Sequence, residues 1–133
     1  MLEANVLKLV MMRLSQLGST VFRQNVGQAW VGKKIIKAAK GTVIIEGAMP
    51  ITMGLTSGSS DLIGWTPVEI TAEMVGAKVA VFTAIECKRS SGGKTSMKQN
   101  NFIRRVKQDG GIAGVASSPD AASDILERWR APH

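Results

Sequence analysis

Two charged residues stand close together at the end of the most apolar stretch of this sequence. Residues 78–88 form a run rich in valine, alanine and isoleucine that turns polar only at Glu86 and Lys88. The run predicts a strand. Because side chains alternate along a strand, Glu86 and Lys88 share one face while Cys87 points to the other. The sequence therefore predicts an acid and a base side by side where a buried strand ends.

A second acid occupies a comparable position earlier in the chain. Asp61 follows segment 54–60, which is rich in glycine, serine and threonine, and opens a short apolar run that predicts another strand. If the two strands are neighbours, the carboxylates of Asp61 and Glu86 converge near one edge of a sheet. Two carboxylates hold a hard cation such as Mg²⁺ well, with water and phosphate as its other ligands.

Such a cation would polarise a scissile phosphate and lower the pKa of a bound water. Lys88 could then orient that water or stabilise the charge that develops on the phosphate. Oxygen ligands are expected, and so Mg²⁺ or Mn²⁺, because Cys87 and His133 are the only cysteine and histidine. The alternative is that Glu86 and Lys88 form an ordinary solvent-facing pair, since most charged residues are exposed.

Two polar residues on predicted apolar helix faces bear on that choice. Glu3 lies on the stripe of the first helix that carries Leu7 and Val10, where a carboxylate is costly without a partner. Its alternative role is favourable charge at a helix N-terminus. Gln99 lies on the apolar face of the helix that follows Lys88, where an amide can bridge a carboxylate and a phosphate. Its alternative role is to supplement the helix cap.

The tetrapeptide Gly58-Ser59-Ser60-Asp61 offers a further means of binding phosphate. Glycine lets the backbone approach a phosphate closely, and the serines offer hydrogen-bond donors. A plain turn is the competing explanation, and for Ser59 it is the favoured one.

The elements that would position these residues can be read from periodicity and caps. Helices are predicted at 2–17, from Thr95 or Ser96 to Gln108, and from Pro119 to Trp129 with Ser118 as the cap. Strands are predicted at Thr20–Arg23, 29–31, 42–45, 61–65, 78–88 and Ile112–Ala116, with a further short one at 68–71. Segments 29–31 and 42–45 are expected to form one ribbon. The order predicts a single mixed α/β domain over 1–133, with a central sheet flanked by helices.

Composition limits the function classes. The chain has 133 residues, 44% of them hydrophobic, which fits a globular domain. A formal charge of +7 favours a polyanionic partner, although many small basic domains do not bind DNA. A single cysteine suits a reducing compartment, no apolar run is long enough to span a membrane, and the first residues lack signal-peptide features. A cytoplasmic location is expected.

The chain resembles the PD-(D/E)XK nuclease superfamily, and more closely its VRR-Nuc (virus-type replication-repair nuclease) family in the compact stand-alone phage and bacterial form. The resemblance runs from Glu3 to about Ala116 and rests on an ordered set: Glu3, Arg23-x-Asn25, Gly58-x-Ser60-Asp61, Glu86-x-Lys88 and Gln99. It implies a restriction-endonuclease-like core, a central mixed β-sheet flanked by α-helices. It also implies a Mg²⁺- or Mn²⁺-dependent endonuclease that cuts phosphodiester bonds in DNA.

The resemblance also implies a set of metal ligands. By position, Asp61 and Glu86 become ligands, and the main-chain carbonyl of Cys87 becomes another. Glu3 matches the family's first-helix acid and is assigned to the same metal site.

Two further roles follow from the same resemblance. Lys88 becomes the catalytic lysine, and Gln99 the residue that organises the site. The chain departs from the superfamily's name because Ser60, not proline, precedes Asp61, which is usual for the VRR-Nuc branch. Stand-alone members are similar to Holliday junction resolvases and form homodimers, so branched DNA and a role in DNA repair are expected.

The remaining predicted contacts are with DNA phosphates, which position a duplex without reading its bases. The predicted set, led by Arg23, Lys94 and Lys98, is Arg23, Asn25, Ser60, Lys33, Lys34, Lys94 and Lys98. Trp30 and Trp129 are interpreted as core or dimer residues rather than base-stacking ones.

Two alternatives stay open at the level of sequence. Gly92-Gly93-Lys94-Thr95 follows a predicted strand and opens a helix, as a P-loop does, but Lys88 stands where that motif requires glycine. A second partial match, Gly27 to Gly32 and then Lys33, lacks the required hydroxyl because Lys34 follows. The other alternative is a non-catalytic DNA-binding module, which explains the charge but not the polar residues on inward faces.

Overall fold

The computed structural model describes residues 2–131, and the chain divides into two compact units, Met1–Gly64 and Trp65–His133. Each unit combines helix and strand, so the predicted mixed α/β class is confirmed. Whether the chain forms one domain over 1–133 stays a prediction. His133, the single histidine, lies outside the described residues.

The first unit contains one helix and a series of short strands. Their order is α1 (Glu3–Gln16), β1 (Thr20–Arg23), β2 (Gly27–Val31), β3 (Lys34–Lys37), β4 (Val43–Glu46), β5 (Met49–Met53) and β6 (Leu62–Trp65), which ends on the first residue of the second unit. Strand β1 pairs with β6, β2 with β5 and β3 with β4. The predicted strands at Thr20–Arg23 and 61–65 are confirmed to within one residue.

The ribbon predicted from segments 29–31 and 42–45 is wrong in its pairing. Strand β2 pairs antiparallel with β5, so that Trp30 lies opposite Pro50, and β4 pairs antiparallel with β3. Segment 49–53 was missed as a strand because proline cannot donate to a ladder, yet proline is tolerated on an edge strand. Gly32 lies between the two hairpins, and a Cβ there would collide with the Ile45 side chain and the Glu46 carbonyl.

Helix α1 has a narrower contact face than its sequence predicts. Leu7, Met11 and Leu14 are half-buried, whereas Glu3 and Val10 are exposed. The prediction that Glu3 lies on a buried stripe is therefore wrong. The three half-buried side chains lie along one side of the helix at spacings of four and three residues. This contact face is narrower than the stripe of apolar residues in the sequence.

The second unit is built on a parallel strand pair. After a short 3-10 helix at Ala72–Met74, it contains β7 (Thr83–Cys87), α2 (Met97–Gln108), β8 (Ile112–Ala116) and α3 (Pro119–Arg130). Strand β7 pairs parallel with β8 from Thr83 opposite Ile112 to Cys87 opposite Ala116. Helix α2 connects the two strands, as a crossover must between parallel neighbours.

The core of the second unit lies where α2 and α3 meet β8. Its most buried side chains are Val106, Ile112, Ala113 and Ala116. Both helices begin and end close to their predicted bounds. Ser118 accepts a hydrogen bond from the Ala121 backbone at the start of α3, and Gly110 has a φ of 96° after the end of α2, where a left-handed residue is common.

Three predictions about strands are corrected. The predicted strand 78–88 is only Thr83–Cys87, because β8 begins opposite Thr83 and offers no partner to the residues before Phe82. Segment 68–71 is not a strand. Across residues 2–131 the strands pair two by two into four sheets rather than one central sheet.

No helix within residues 2–131 is both long and apolar enough to cross a membrane.

Candidate active site

Three side chains of the second unit form a closed hydrogen-bonded cluster. Lys88 Nζ lies 3.2 Å from Glu86 Oε1, and Gln99 Nε2 donates to the same oxygen at 2.7 Å. Lys88 Nζ also donates to Gln99 Oε1 at 3.2 Å. The strand geometry predicted from Glu86-x-Lys88 is thus confirmed, and Gln99 from the next helix joins the pair.

Helix α2 holds Gln99 in place through its first turn. The Ser96 hydroxyl accepts from the Gln99 backbone N–H at 3.1 Å, and Gln99 Oε1 accepts from the Ser96 backbone N–H at 2.9 Å. Together these two bonds form a capping box. The helix-cap role weighed for Gln99 is therefore confirmed, and the same amide also donates to Glu86. Its role as a site residue stays a prediction.

The cluster leaves part of Glu86 available to an external cation. Both contacts fall on Oε1, and no hydrogen bond or ion pair among the described residues reaches Oε2. The Glu86 side chain is 33% exposed and that of Lys88 is 21% exposed. An anchored carboxylate with one open oxygen can bind a cation without first losing a protein partner.

An aromatic and ionic network involves the C-terminal half of α2. The Trp65 indole N–H donates to Asp109 Oδ2 at 2.9 Å, and Arg105 Nε donates to the same oxygen at 3.0 Å. The centroid of the Trp65 ring lies 4.7 Å from that of Phe82 and 5.9 Å from that of Phe102. The hydrogen bond from Trp65, and then that from Arg105, holds the pKa of Asp109 below its ordinary value.

The first unit contains a second set of predicted site residues. Glu3, Arg23, Asn25 and Asp61 line one cleft of about 230 Å³, together with Ala4 and Leu7. Glu3 and Asp61 are exposed. A cleft lined by two carboxylates, one guanidinium and one amide can bind a cation and an anionic oxygen together.

The loop before Asp61 is tied to the end of β1. The Gln24 side chain hydrogen-bonds to Leu55, Ser59 and Ser60, and the Gln24 backbone N–H donates to the Asp61 carbonyl at 2.8 Å. In Ser60 it is the backbone carbonyl, not the hydroxyl, that accepts from Gln24. Sequence reasoning missed Gln24, whose only signal was its place between Arg23 and Asn25.

The structure thus gathers the predicted residues into two sets, one in each unit. Glu3, Arg23, Asn25 and Asp61 lie together in the first, and Glu86, Lys88 and Gln99 in the second. No group of three or more Asp, Glu, His or Cys residues with metal-ligand spacing occurs within residues 2–131. That one ion joins Asp61 to Glu86 and to the Cys87 carbonyl therefore stays a prediction.

The residues chosen for phosphate contacts are accessible. Lys33, Lys34, Lys94 and Lys98 are all exposed, and none forms an ion pair among the described residues. Lys34 begins β3, Lys94 lies in the loop after Lys88, and Lys98 lies in the first turn of α2. Trp30 is 56% exposed and so is not a core residue of its unit, whereas Trp129 is half-buried and donates to the Gly110 carbonyl at 3.3 Å.

The P-loop alternative is poorly matched by this geometry. A phosphate cradle needs free backbone N–H groups at the start of a helix. Here the N–H groups of Ser96 and Gln99 are taken by the capping box. Helix α2 also begins at Met97, two residues after the Gly-Gly-Lys-Thr segment ends.

An acid and a lysine two residues apart on a strand, joined by an amide from the next helix, fit a nuclease. The VRR-NUC domain family model matches residues 13–120, which is most of the chain, and the chain belongs to this family. The resemblance drawn from the sequence is confirmed, and membership implies a nuclease with DNA as its substrate. The match contains Asp61, Glu86, Lys88 and Gln99 but begins after Glu3. No curated protein and no solved structure matches the chain.

Proposed function

We propose that the chain is a Mg²⁺- or Mn²⁺-dependent endodeoxyribonuclease that selects DNA by its structure, at Holliday junctions or flaps. The observation that carries this proposal is the cluster of Glu86, Lys88 and Gln99, in which a lysine and an amide hold one oxygen of a carboxylate and leave the other open. The amide that completes this cluster also belongs to the cap of α2, so the orientation of Glu86 is fixed relative to the start of that helix.

The available side chains fit a hard divalent cation. Asp61 and Glu86 supply carboxylate oxygens, and the Cys87 carbonyl and Glu3 complete the proposed protein ligands. Two carboxylates with water and phosphate are the ligands that Mg²⁺ accepts most readily. A bound ion would supply polarisation of the scissile phosphate and a more acidic water.

The protein side chains have separate tasks in this proposal. Lys88 stabilises negative charge on the phosphate or orients the attacking water, and its 3.2 Å contact with Glu86 keeps it beside the carboxylate. Gln99 fixes the orientation of Glu86 through its 2.7 Å hydrogen bond. A carboxylate held in this way needs little reorganisation when a cation binds.

The proposal assigns DNA contacts to residues on both units. Lys33, Lys34, Lys94 and Lys98 bind phosphates along the backbone, because each is exposed and has no acidic partner among the described residues. Arg23, Asn25 and Ser60 act closer to the scissile phosphate, since Arg23 and Asn25 share the cleft of Asp61.

The proposal also includes the assembly and setting that the family resemblance implies. The chain acts as a homodimer, because two sites related by a two-fold axis suit a junction with two scissile strands. Its place is DNA replication or repair in the cytoplasm of a bacterial or phage-infected cell.

The test is cleavage of plasmid, flap and four-way-junction DNA with and without Mn²⁺. Asp61→Asn, Glu86→Gln and Lys88→Met are compared with matched changes at exposed residues outside the site, Asp124→Asn, Glu69→Gln and Lys78→Met. We expect cleavage only with metal, a loss of at least about 100-fold in each site variant and wild-type rates in the controls. DNA binding without cleavage in any metal would contradict the proposal and favour the non-catalytic module.

A further inference from the structure

The Gln24 side chain makes three hydrogen bonds to one loop. Its Nε2 donates to the Ser59 hydroxyl and to the Ser60 carbonyl, both at 2.9 Å. Its Oε1 accepts from the Leu55 backbone N–H, also at 2.9 Å. One half-buried amide thus holds both the start and the end of segment 54–60, which leads directly into Asp61.

The backbone of residues 24 and 25 also lies close to both ends of this loop. Gly54 has a φ of 85°, and a Cβ there would collide with the Asn25 carbonyl and lie 2.5 Å from Gln24 Oε1. Gln24 also donates from its backbone N–H to the Asp61 carbonyl at 2.8 Å. The loop therefore begins and ends against residues 24 and 25.

The loop has little else to fix its conformation. Its sequence, Gly-Leu-Thr-Ser-Gly-Ser-Ser, is flexible in isolation. Its side chains are exposed apart from that of Ser59, and the one backbone bond within it joins the Ser59 N–H to the Thr56 carbonyl. The Gln24 amide supplies more bonds to the loop than the loop supplies to itself.

We infer that Gln24 is a positioning residue that sets the orientation of Asp61 in the nuclease site, an inference that rests on the proposed function. Gln24 touches neither substrate nor metal in this role. It acts through the segment that ends at Asp61, whereas its neighbours Arg23 and Asn25 line the cleft with Asp61.

The chemistry of an amide is required at this position. Gln24 must donate to a carbonyl and a hydroxyl while accepting from an N–H, and an amide does both. Gln24→Glu keeps the acceptor for Leu55 but places a carboxylate oxygen against the Ser60 carbonyl. Gln24→Met keeps the length of the side chain and removes all three bonds. Gln28→Met is the matched control, because Gln28 is exposed on β2.

The first measurement is hydrogen exchange of segment 54–61, which needs no activity. In Gln24→Met we expect faster exchange of the Leu55 and Ser59 amides, and in Gln24→Glu faster exchange of the Ser59 amide, with β7 and α2 unchanged in both. The Gln28→Met variant should exchange as the wild type does. Unchanged exchange at Leu55 in Gln24→Met would show that the amide does not hold the loop and would overturn the inference.

The second experiment has two parts. Binding of Mn²⁺ is monitored by electron paramagnetic resonance as the loss of the signal from free Mn²⁺. DNA cleavage is measured over a range of Mn²⁺ concentrations. We expect Gln24→Met to need about tenfold more Mn²⁺ for half-saturation in both assays. High Mn²⁺ should then restore most of its cleavage rate, unlike that of Asp61→Asn. A variant that is only less stable is not expected to combine a higher Mn²⁺ requirement with a cleavage rate that high Mn²⁺ restores.

These experiments distinguish a failure of the proposed function from a failure of the role of Gln24. Wild-type protein that neither binds Mn²⁺ nor cuts DNA would refute the proposed function and this inference with it. If the wild type does both and Gln24→Met has the same Mn²⁺ dependence as the wild type, only the inference about Gln24 is refuted.

Discussion

Gln99 donates to Glu86 Oε1 at 2.7 Å while its own Oε1 accepts from the Ser96 backbone N–H at 2.9 Å. The residue that caps α2 is therefore the residue that holds the candidate active-site carboxylate. As a consequence, the start of the helix and the geometry of Glu86 cannot form independently.

The two tasks of Gln99 can be separated by substitution. Gln99→Glu keeps an oxygen for the Ser96 N–H but loses the donor to Glu86, whereas Gln99→Ala loses both. We expect cleavage to fall about 100-fold in each, while only Gln99→Ala loses about 1 kcal/mol of capping energy. Single-turnover cleavage and urea unfolding measure the two effects, and wild-type cleavage by Gln99→Glu would show that Glu86 needs no amide.

A close approach of two strands makes a second prediction. A Cβ on Gly64 in β6 would collide with the Thr20 carbonyl and with Val21 Cα at 2.7 Å. Gly64→Ala should therefore cost about 1–3 kcal/mol of stability, because backbone cannot yield as a flexible side chain does. Gly27→Ala in β2 is the control, since a Cβ added to Gly27 would have no other atom within 4 Å. Equal unfolding free energies for the two variants would contradict the strand contact.

The helices of the second unit and the face shared by Glu86 and Lys88 were predictable because their signals are local. Ser118 and Pro119 marked the start of α3, and the Glu86-x-Lys88 spacing fixed which side chains share a face. The end of α2 was equally clear from Gly110. Each of these features depends on neighbours in sequence rather than on contacts that only folding creates.

The first unit was less predictable because its strands depend on partners. Nothing in segment 49–53 reveals that it pairs with β2, and Pro50 argues against a strand there. Glu3 is exposed because the contact face of α1 is narrow, and the width of that face cannot be read from sequence periodicity. The contacts of Gln24 join residues more than 30 positions apart, so no local pattern announces them.

Acid should weaken the second unit through Asp109. Its pKa in the folded state is held below the ordinary value, by the Trp65 hydrogen bond and then by Arg105. Because the pKa of Asp109 is lower in the folded state than in the unfolded state, ionised Asp109 stabilises the fold at pH values above the ordinary carboxyl pKa. That contribution is lost as the pH falls through the lowered pKa.

The corresponding variant is Asp109→Asn, whose amide oxygen can still accept from Trp65. We expect a lower melting temperature at neutral pH and a shallower decline between about pH 5 and pH 2. Circular dichroism melts across that range provide the measurement. Parallel curves for variant and wild type would show that Asp109 does not contribute in this way.

Salt dependence tests the proposed phosphate contacts. Removing one Lys–phosphate contact, as in Lys94→Ala or Lys98→Ala, should weaken binding to all DNA sequences alike. It should also reduce the slope of log K against log salt by about 1. Lys78→Ala, which changes an exposed lysine outside the proposed set, should leave the slope unchanged. An unchanged slope in Lys94→Ala would remove that residue from the interface.

The proposal that Asp61 and Glu86 hold one divalent cation is tested most directly by an anomalous difference map from crystals grown with Mn²⁺. We predict one peak within about 2.2 Å of a carboxylate oxygen from each residue. That peak should be absent in crystals of Glu86→Gln. A peak bound by only one of the two carboxylates, or two carboxylates too far apart to share an ion, would contradict the claim.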